Sequence, residues 1–363
     1  MIRQPPSVSR RQLLFAGAAL FAASEARAET PVYPDRSDLL RLKEIPDGPE
    51  RRITTKADWE KRRAQILLNM QRVMGPLPGK EHRVPLDVRV EGEEETPSYL
   101  RRKLSFASAP GERVPAYLLL PKERRGRAPA ALCLHQTVPI GKSEPVGLGG
   151  APSLHYGKEL AERGFVVLAP DYPSFADHKI DVYARGWQSG SMKAIWDNMR
   201  ATDLLQSLPE VDGKRIACLG HSLGGHNTLF TAAFDRRIRA LASSCGFTAF
   251  PRYYGGNLTG WTGPAYMPRI RTDFPTPEKM PFDFHEVVAT LAPRAFLACA
   301  PLHDSNFDVQ GVREVMSAAE PVYRLYGAAD RLSALYPDAG HDWPQETREA
   351  AYGWIFQRLK AEG

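Results

Sequence analysis

The stretch Gly220-His221-Ser222-Leu223-Gly224-Gly225 is the most informative part of this chain. It follows an apolar run at 215–219 and precedes a helical pattern at 227–234. A strand, a Gly-x-Ser-x-Gly turn and a helix together form a sharp turn that presents the serine hydroxyl at the carboxyl end of a sheet. Glycines stand beside the serine because such a turn leaves no space for side chains. The pattern predicts that Ser222 is a nucleophile, and the alternative is a glycine-rich turn without chemistry.

From residue 130 onward, short apolar runs alternate with helical patterns. Near-continuous apolar strands separated by helices are typical of a parallel sheet that is covered on both faces. The expected strands are 130–134, 165–169, 215–219, 240–244, 294–299 and 332–336. The expected helices are 157–163, 189–207, 225–234, 285–291, 312–319, 322–328 and 345–360. We therefore predict an α/β protein with a mostly parallel, doubly wound sheet.

A different pattern precedes this alternation. Residues 57–74 have the spacing of an amphipathic helix, with Thr55 as its cap and Gly75-Pro76 as its stop. Residues 84–121 alternate between apolar and polar side chains, beginning with 86–90, which predicts an antiparallel lead-in to the sheet.

The same patterns suggest a division of the chain. We expect an N-terminal extension at 29–112 and a catalytic domain at 113–363. Within that domain, residues 250–284 are rich in Tyr, Trp, Pro and Gly and interrupt the strand–helix rhythm. A loop of this length in a compact domain is usually functional, so we interpret it as a lid over the site.

Residues 1–28 resemble an export signal. Ser9-Arg10-Arg11-Gln12-Leu13-Leu14 resembles a twin-arginine motif, an apolar stretch too short to span a bilayer follows, and Ala26-Arg27-Ala28 offers a cleavage point. We expect an exported protein, periplasmic or extracellular, and an ordinary secretory signal is the alternative. The formal charge is +6, of which +3 belongs to residues 1–28. The remaining +3 is too small to indicate nucleic-acid binding.

A serine nucleophile needs a base and an acid, which follow it along the chain in this kind of fold. His341 lies after the last strand, among small and polar neighbours, and is the expected base. Asp304 follows the strand at 294–299 and is the expected acid. Asp308, four residues later, is the alternative acid, although it could instead cap the next helix.

The developing negative charge on the substrate needs two backbone N–H donors. We expect one from Leu223, directly after the nucleophile, and one from Thr137 or Gln136 in the loop after the strand at 130–134. His135 in the same loop could line the substrate pocket, but a buried role that holds the loop by hydrogen bonds is favoured.

Two tryptophans are further candidates for the substrate pocket. Trp187 lies before the helix at 189–207, and Trp261 belongs to the expected lid. Either ring could stack on a sugar or an aryl group, whereas for the lid aromatics a place in the lid's own core is favoured.

The four cysteines, Cys133, Cys218, Cys245 and Cys299, all lie in or beside expected strands and are interpreted as small buried apolar residues. No pair has metal-ligand spacing, and we expect neither a metal nor an organic cofactor.

These residues together resemble the α/β-hydrolase superfamily, with a match from about residue 113 to 359. Within it, the stretches 161–165 and 168–173 are most similar to serine esterases of the dienelactone-hydrolase-like and acetyl xylan esterase-like groups. The N-terminal helix and lead-in also resemble bacterial glucuronoyl-esterase-like proteins. Dienelactone hydrolases use cysteine where this chain has Ser222, so the resemblance does not imply that activity.

The resemblance implies a serine hydrolase that cleaves carboxylic esters through an acyl-enzyme, acting on small-molecule or plant carbohydrate esters. A serine peptidase of the prolyl oligopeptidase type and a non-catalytic binding protein on the same fold are the alternatives. We expect no nucleic-acid partner and no stable membrane insertion.

Overall fold

The computed structural model describes residues 30–44, 48–124 and 126–361. The expected export signal at 1–28 lies outside these residues. The strands are β1 Arg41–Lys43, β2 Glu50–Arg52, β3 Arg89–Glu95, β4 Tyr99–Ala109, β5 Glu112–Pro121, β6 Ala128–Leu134, β7 Val166–Pro170, β8 Val211–His221, β9 Ile238–Ser244, β10 Ala295–Cys299 and β11 Leu332–Leu335. The helices are α1 Lys56–Met74, α2 Tyr156–Glu162, α3 Gly190–Ser207, α4 Leu223–Phe234, α5 Ile270–Asp273, α6 Phe284–Ala289, α7 Val309–Tyr326 and α8 Gln345–Lys360.

Nine of these strands form one sheet in the order β11-β10-β9-β8-β6-β7-β5-β4-β3. The six strands from β6 to β11 are parallel to one another, whereas β3, β4 and β5 pair antiparallel and join the sheet through β7. β1 and β2 form a separate antiparallel pair. The mostly parallel α/β sheet with an antiparallel lead-in is therefore confirmed.

Alternate strand residues point to opposite faces of the sheet, and each face is covered by its own helices. Leu132 and Cys218 pack in one core cluster with side chains of α1, α3, α4, α6 and α7. Ala131 and Leu219, their chain neighbours, pack in a second cluster with α2 and α8. All four cysteines are buried and free, as predicted. Among the described helices, none combines the length and hydrophobicity needed to cross a bilayer.

Two expected elements were wrong in detail. The helices expected at 312–319 and 322–328 are the single helix α7, which contains Pro321 and ends at Tyr326, with Gly327 as its C-cap. Buried side chains continue on both sides of the proline, from Val315 to Tyr323, and this packing outweighs the loss of one backbone hydrogen bond.

The first strand of the lead-in lies later in the chain than the apolar pattern at 86–90 predicted. β3 begins at Arg89 and runs through an acidic stretch whose residues are all exposed. Glu93 and Glu94 form ion pairs with Arg102 and Arg101 of the neighbouring β4. Cross-strand charge pairs thus hold an edge strand that has no apolar face.

Residues 30–74, which include α1, are fastened to α6 by buried ion pairs. Thr55 caps α1 as predicted, accepting a hydrogen bond from the N–H of Asp58. From α1, Arg62 pairs with Glu286 of α6, and Arg36 pairs with the other oxygen of the same carboxylate. Burial alone would raise the pKa of Glu286, but the two guanidinium charges lower it, so the carboxylate is charged in the core.

We expect Glu286→Ala to destabilise the fold strongly. The change leaves the buried guanidinium of Arg62 without its counter-charge, which costs roughly 3–5 kcal/mol. The free energy of unfolding in urea measures the effect. Glu314→Ala is the matched control, because Glu314 pairs with Arg252 on the surface and its loss should hardly move the urea midpoint. Equal midpoints for the two variants would contradict a structural role for Glu286.

Candidate active site

Ser222 lies in a strained turn between the end of β8 and the start of α4. Its backbone has φ 51° and ψ −116°, a left-handed conformation that is costly for a residue with a side chain. The turn is held by its surroundings, since the N–H of Ser222 donates to the carbonyl of Ser244 at the end of β9 at 2.8 Å. Helix, turn and two parallel strands therefore fix where the hydroxyl is presented.

The glycines on either side of Ser222 are required by close backbone contacts. A Cβ on Gly224 would lie 1.8 Å from the carbonyl oxygen of Leu134 at the end of β6. A Cβ on Gly220 would lie 2.5 Å from the backbone of Gly224. The turn can pack against the sheet only because both positions lack a side chain.

His341 and Asp304 form a hydrogen-bonded pair at the carboxyl edge of the sheet. The Nδ1 of His341 lies 2.9 Å from Oδ1 and 3.0 Å from Oδ2 of Asp304. Asp304 follows β10 and His341 follows β11, and parallel strands place both loops at the same edge. The carboxylate is almost fully covered, with 1% of its side chain exposed, whereas 25% of the imidazole is exposed.

Asp304 is held in its charged form by this arrangement. Burial raises its pKa, but the hydrogen bond and the charge of His341, together with the N–H groups of Asn306 and Phe307, lower it below its ordinary value. A charged carboxylate on Nδ1 keeps the proton on that nitrogen and leaves Nε2 free to act as a base.

His221 connects this pair to the serine turn. It directly precedes Ser222, and its ring centroid lies 4.8 Å from that of His341. Its Nδ1 lies 3.1 Å from the hydroxyl of Ser244. Burial and the nearby charge of His341 lower the pKa of His221 to about 3, so this ring is neutral. Within the described chain no direct hydrogen bond joins Ser222 to His341, and such contacts often tighten only when substrate binds.

Asp308 occupies a different position from Asp304. Its Oδ1 accepts a hydrogen bond of 2.6 Å from the N–H of Gln310, and it thereby caps α7. The structure thus brings Asp304, and not Asp308, to His341.

Both expected oxyanion loops border the serine. Leu223 is the first residue of α4, so its N–H has no acceptor in a preceding helical turn. Thr137 is exposed, and its hydroxyl lies 3.0 Å from that of Tyr266. Gln136 directs its side chain away, to the buried carboxylate of Glu144. Thr137, and not Gln136, lines a cavity together with Ser222.

A cavity of about 70 Å³ opens beside the serine. Its wall combines the serine turn, the loop after β6, the segment 250–284 and the loop after β10. The lining residues are Thr137, Ser222, Leu223, His226, Tyr253, Gly260, Trp261, Tyr266, Asn306 and Phe307.

Two of the residues expected in the substrate pocket do not line this cavity. His135 is buried, donating from Nδ1 to the carbonyl of Gln136 and accepting at Nε2 from the N–H of Tyr172. This is the loop-holding role that the sequence favoured. Trp187 donates a hydrogen bond from its indole N–H to the carboxylate of Glu112, and the ammonium group of Lys193 lies over its ring.

Other residues of the cavity wall escaped sequence reasoning. Asn306 and Phe307 were not predicted, although they lie two and three residues after Asp304 in the same loop. His226 was not predicted to line the pocket, yet it lies one helical turn after Ser222 and therefore on the same face of α4. Spacing of four residues from the serine was the signal that could have identified it.

Metal-binding atom types also meet at this edge. Atoms of His221, Cys245 and His341 that could serve as ligands all lie within 4.8 Å of one another. The Nδ1 of His341 is already engaged by Asp304, so a metal at this cluster would compete with the role expected for His341.

Comparisons with known proteins agree with this architecture. A sequence profile of the prolyl oligopeptidase family matches residues 154–360. YtaP from Bacillus subtilis (strain 168), which is provisionally named a hydrolase, is 27% identical over 291 residues, or 77% of this chain and 94% of that protein. Carbohydrate esterase MZ0003, from an unknown prokaryotic organism, is 28% identical over 153 residues, or 38% of this chain and 34% of that protein.

Solved structures of glucuronoyl esterases are also similar. The enzyme from Solibacter usitatus superposes with a TM-score of 0.67 at 20% identity and covers 93% of this chain and 100% of its own. A CE15 enzyme from Teredinibacter turnerae T7901 has a TM-score of 0.69 at 16% identity, with 93% of each chain covered. At such identities the likeness concerns the fold. The family match, which spans more than half of the chain, and these superpositions lead to one conclusion: the chain belongs to the prolyl oligopeptidase family and has the α/β-hydrolase fold.

Proposed function

We propose that this protein is a serine hydrolase that cleaves carboxylic esters through an acyl-enzyme. The observation that carries the proposal is the Asp304–His341 pair, with both carboxylate oxygens on one imidazole nitrogen, beside a serine in a strained strand-to-helix turn. Nucleophile, base and acid follow the chain order that this fold uses.

In this mechanism, Ser222 Oγ attacks the ester carbonyl carbon while Nε2 of His341 takes its proton. Asp304 orients the imidazole and stabilises its positive charge. The N–H groups of Leu223 and Thr137, with Gln136 as the alternative to the latter, stabilise the negative oxygen. The imidazolium then protonates the leaving alcohol, and a water activated by the same imidazole hydrolyses the acyl-enzyme.

We propose carbohydrate esters as the substrate class. Support comes from the relative named as a carbohydrate esterase and from the glucuronoyl esterases that share the fold. The rings of Tyr253, Trp261 and Tyr266 in the cavity wall suit the apolar face of a sugar.

Peptide hydrolysis is the second candidate. The family profile and a 23% identical relative, dipeptidyl-peptidase 5 of Porphyromonas gingivalis, both favour it, although the matched region covers only 30% of that protein. The same triad can attack an amide, so the residues alone do not separate the two reactions.

A matched ester and amide pair separates the candidates. We expect the protein to hydrolyse 4-nitrophenyl acetate and acetylated or glucuronoylated oligosaccharides, and to leave aminoacyl 4-nitroanilides intact. Turnover of the anilides at a comparable kcat/KM would move the proposal to a peptidase. No turnover of either, with no labelling of Ser222 by a fluorophosphonate, would indicate a binding protein.

We further propose export through the twin-arginine route. Arg10→Lys combined with Arg11→Lys should leave the precursor unprocessed inside a bacterial host, because that route reads the arginine pair itself. Cell fractionation with N-terminal sequencing measures the outcome. Arg3→Lys is the control and should be processed normally. Normal processing of the double variant would indicate an ordinary secretory signal, for which positive charge alone suffices.

A further inference from the structure

One side chain in the cavity beside Ser222 has polar atoms that the fold leaves unused. His226 is 4% exposed, and neither of its ring nitrogens has a hydrogen-bond partner in the part of the chain that the structure describes. Trp261, also 4% exposed, has an unpartnered Nε1, and the two ring centroids lie 5.0 Å apart. Buried polar groups are nearly always paired, so three unpaired nitrogens in one wall require an explanation.

The position of His226 relates it to the chemistry. Its N–H donates to the carbonyl of Ser222 at 3.1 Å, which places the two residues on successive turns of the same helix face. Both residues line the cavity. A group bound next to His226 would therefore belong to the molecule whose ester bond Ser222 attacks.

The wall around His226 is neutral. Among the lining residues there is no Lys, Arg, Asp or Glu. Burial lowers the pKa of His226 to about 3, so its imidazole is uncharged at neutral pH. A neutral imidazole donates one hydrogen bond and accepts another, and the indole of Trp261 donates one. A buried carboxylate would find no counter-charge there.

We propose that His226 and Trp261 form a subsite for a hydroxyl group of the ester substrate. A hydroxyl both donates and accepts, and so it can satisfy the imidazole and the indole together. The rings of Phe230, Trp261 and Tyr266 surround the buried imidazole, so binding of the hydroxyl requires one of these rings to rotate. This subsite rests on the proposed ester hydrolysis and refines it, by selecting hydroxylated substrates over their deoxy and carboxylated analogues.

Two pairs of small esters test the subsite on both sides of the ester bond. Methyl glycolate and methyl acetate differ by one hydroxyl on the acyl side. 2-Hydroxyethyl acetate and ethyl acetate differ by one hydroxyl on the alcohol side. Hydrolysis by the wild-type full chain is measured by titration of the released acid, and each kcat/KM ratio is divided by the ratio of the two esters' alkaline hydrolysis rates, because a hydroxyl also activates an ester inductively. We expect this corrected ratio to favour the hydroxylated member of at least one pair by about tenfold or more.

The variants then assign the preference to these nitrogens. His226→Phe, which keeps a ring but removes both nitrogens, should bring that kcat/KM ratio close to one, and Trp261→Phe should lower it. His285→Phe is the matched control, because His285 is also buried but lies outside the cavity wall, with its Nδ1 3.6 Å from a carboxylate oxygen of Asp283. It should leave the ratio unchanged.

The outcomes separate the two proposals. Ser222-dependent hydrolysis with ratios near one in both wild-type pairs, or an unchanged ratio in His226→Phe, would overturn the subsite and leave ester hydrolysis standing. Absence of any Ser222-dependent hydrolysis across the four esters and 4-nitrophenyl acetate would instead overturn the proposed function.

Discussion

Ser222→Ala and His341→Ala are each expected to lower kcat for 4-nitrophenyl acetate by about 10⁴- to 10⁶-fold. The serine variant lacks the nucleophile, and the histidine variant lacks the base that activates it. Because the two groups act in one step, the double variant should be no worse than either single variant by more than a small factor. The initial rate at saturating ester, corrected for the uncatalysed reaction, measures the loss.

A serine outside the cavity provides the control for these variants. Ser207→Ala removes a hydroxyl at the end of α3 that donates to the carbonyl of Leu204, and it should retain the full rate. Additive losses in the double variant would mean that Ser222 and His341 do not act together. Retention of a tenth of the activity in Ser222→Ala would exclude it as the nucleophile.

Asp304→Asn is expected to lower kcat by about 10⁴-fold while leaving KM little changed. The amide can still contact Nδ1 of His341, but it supplies no negative charge for the imidazolium and can favour the wrong tautomer. Asp308→Asn should stay within a few-fold of the wild type, because asparagine caps a helix as well as aspartate does. Far-ultraviolet circular dichroism checks that both variants are folded.

The comparison of these two aspartates decides the acid. A severe loss in Asp308→Asn with a mild one in Asp304→Asn would assign the acid to Asp308, against the hydrogen bonds that the structure contains. Equal and mild losses would mean that His341 works as the base without a carboxylate, and that Asp304 has only a structural role.

The local patterns predicted most of the framework, for a physical reason. Apolar runs such as 130–134 and 240–244 are buried on both faces, so they carry a strong signal that needs no knowledge of their neighbours. Pro321 misled the prediction of α7, because its local cost is outweighed by packing that only the folded chain supplies. β3 was misplaced for a related reason, since its partners lie on the next strand.

The residues around Ser222 also fall into two groups: those that the sequence predicts, and those that only the folded structure identifies. The motif at 220–224 and the order Ser222, Asp304, His341 can be read along the chain, because steric demands of a sharp turn and the direction of parallel strands are properties of local sequence and topology. The cavity cannot be predicted from the sequence alone, because its wall combines four separate segments: the loop after β6, the helix α4, the segment 250–284 and the loop after β10. Two features follow from how distant segments pack: His226 is buried with no hydrogen-bond partner among the described residues, and Trp187 does not line the cavity. Such packing depends on contacts between residues far apart in the chain.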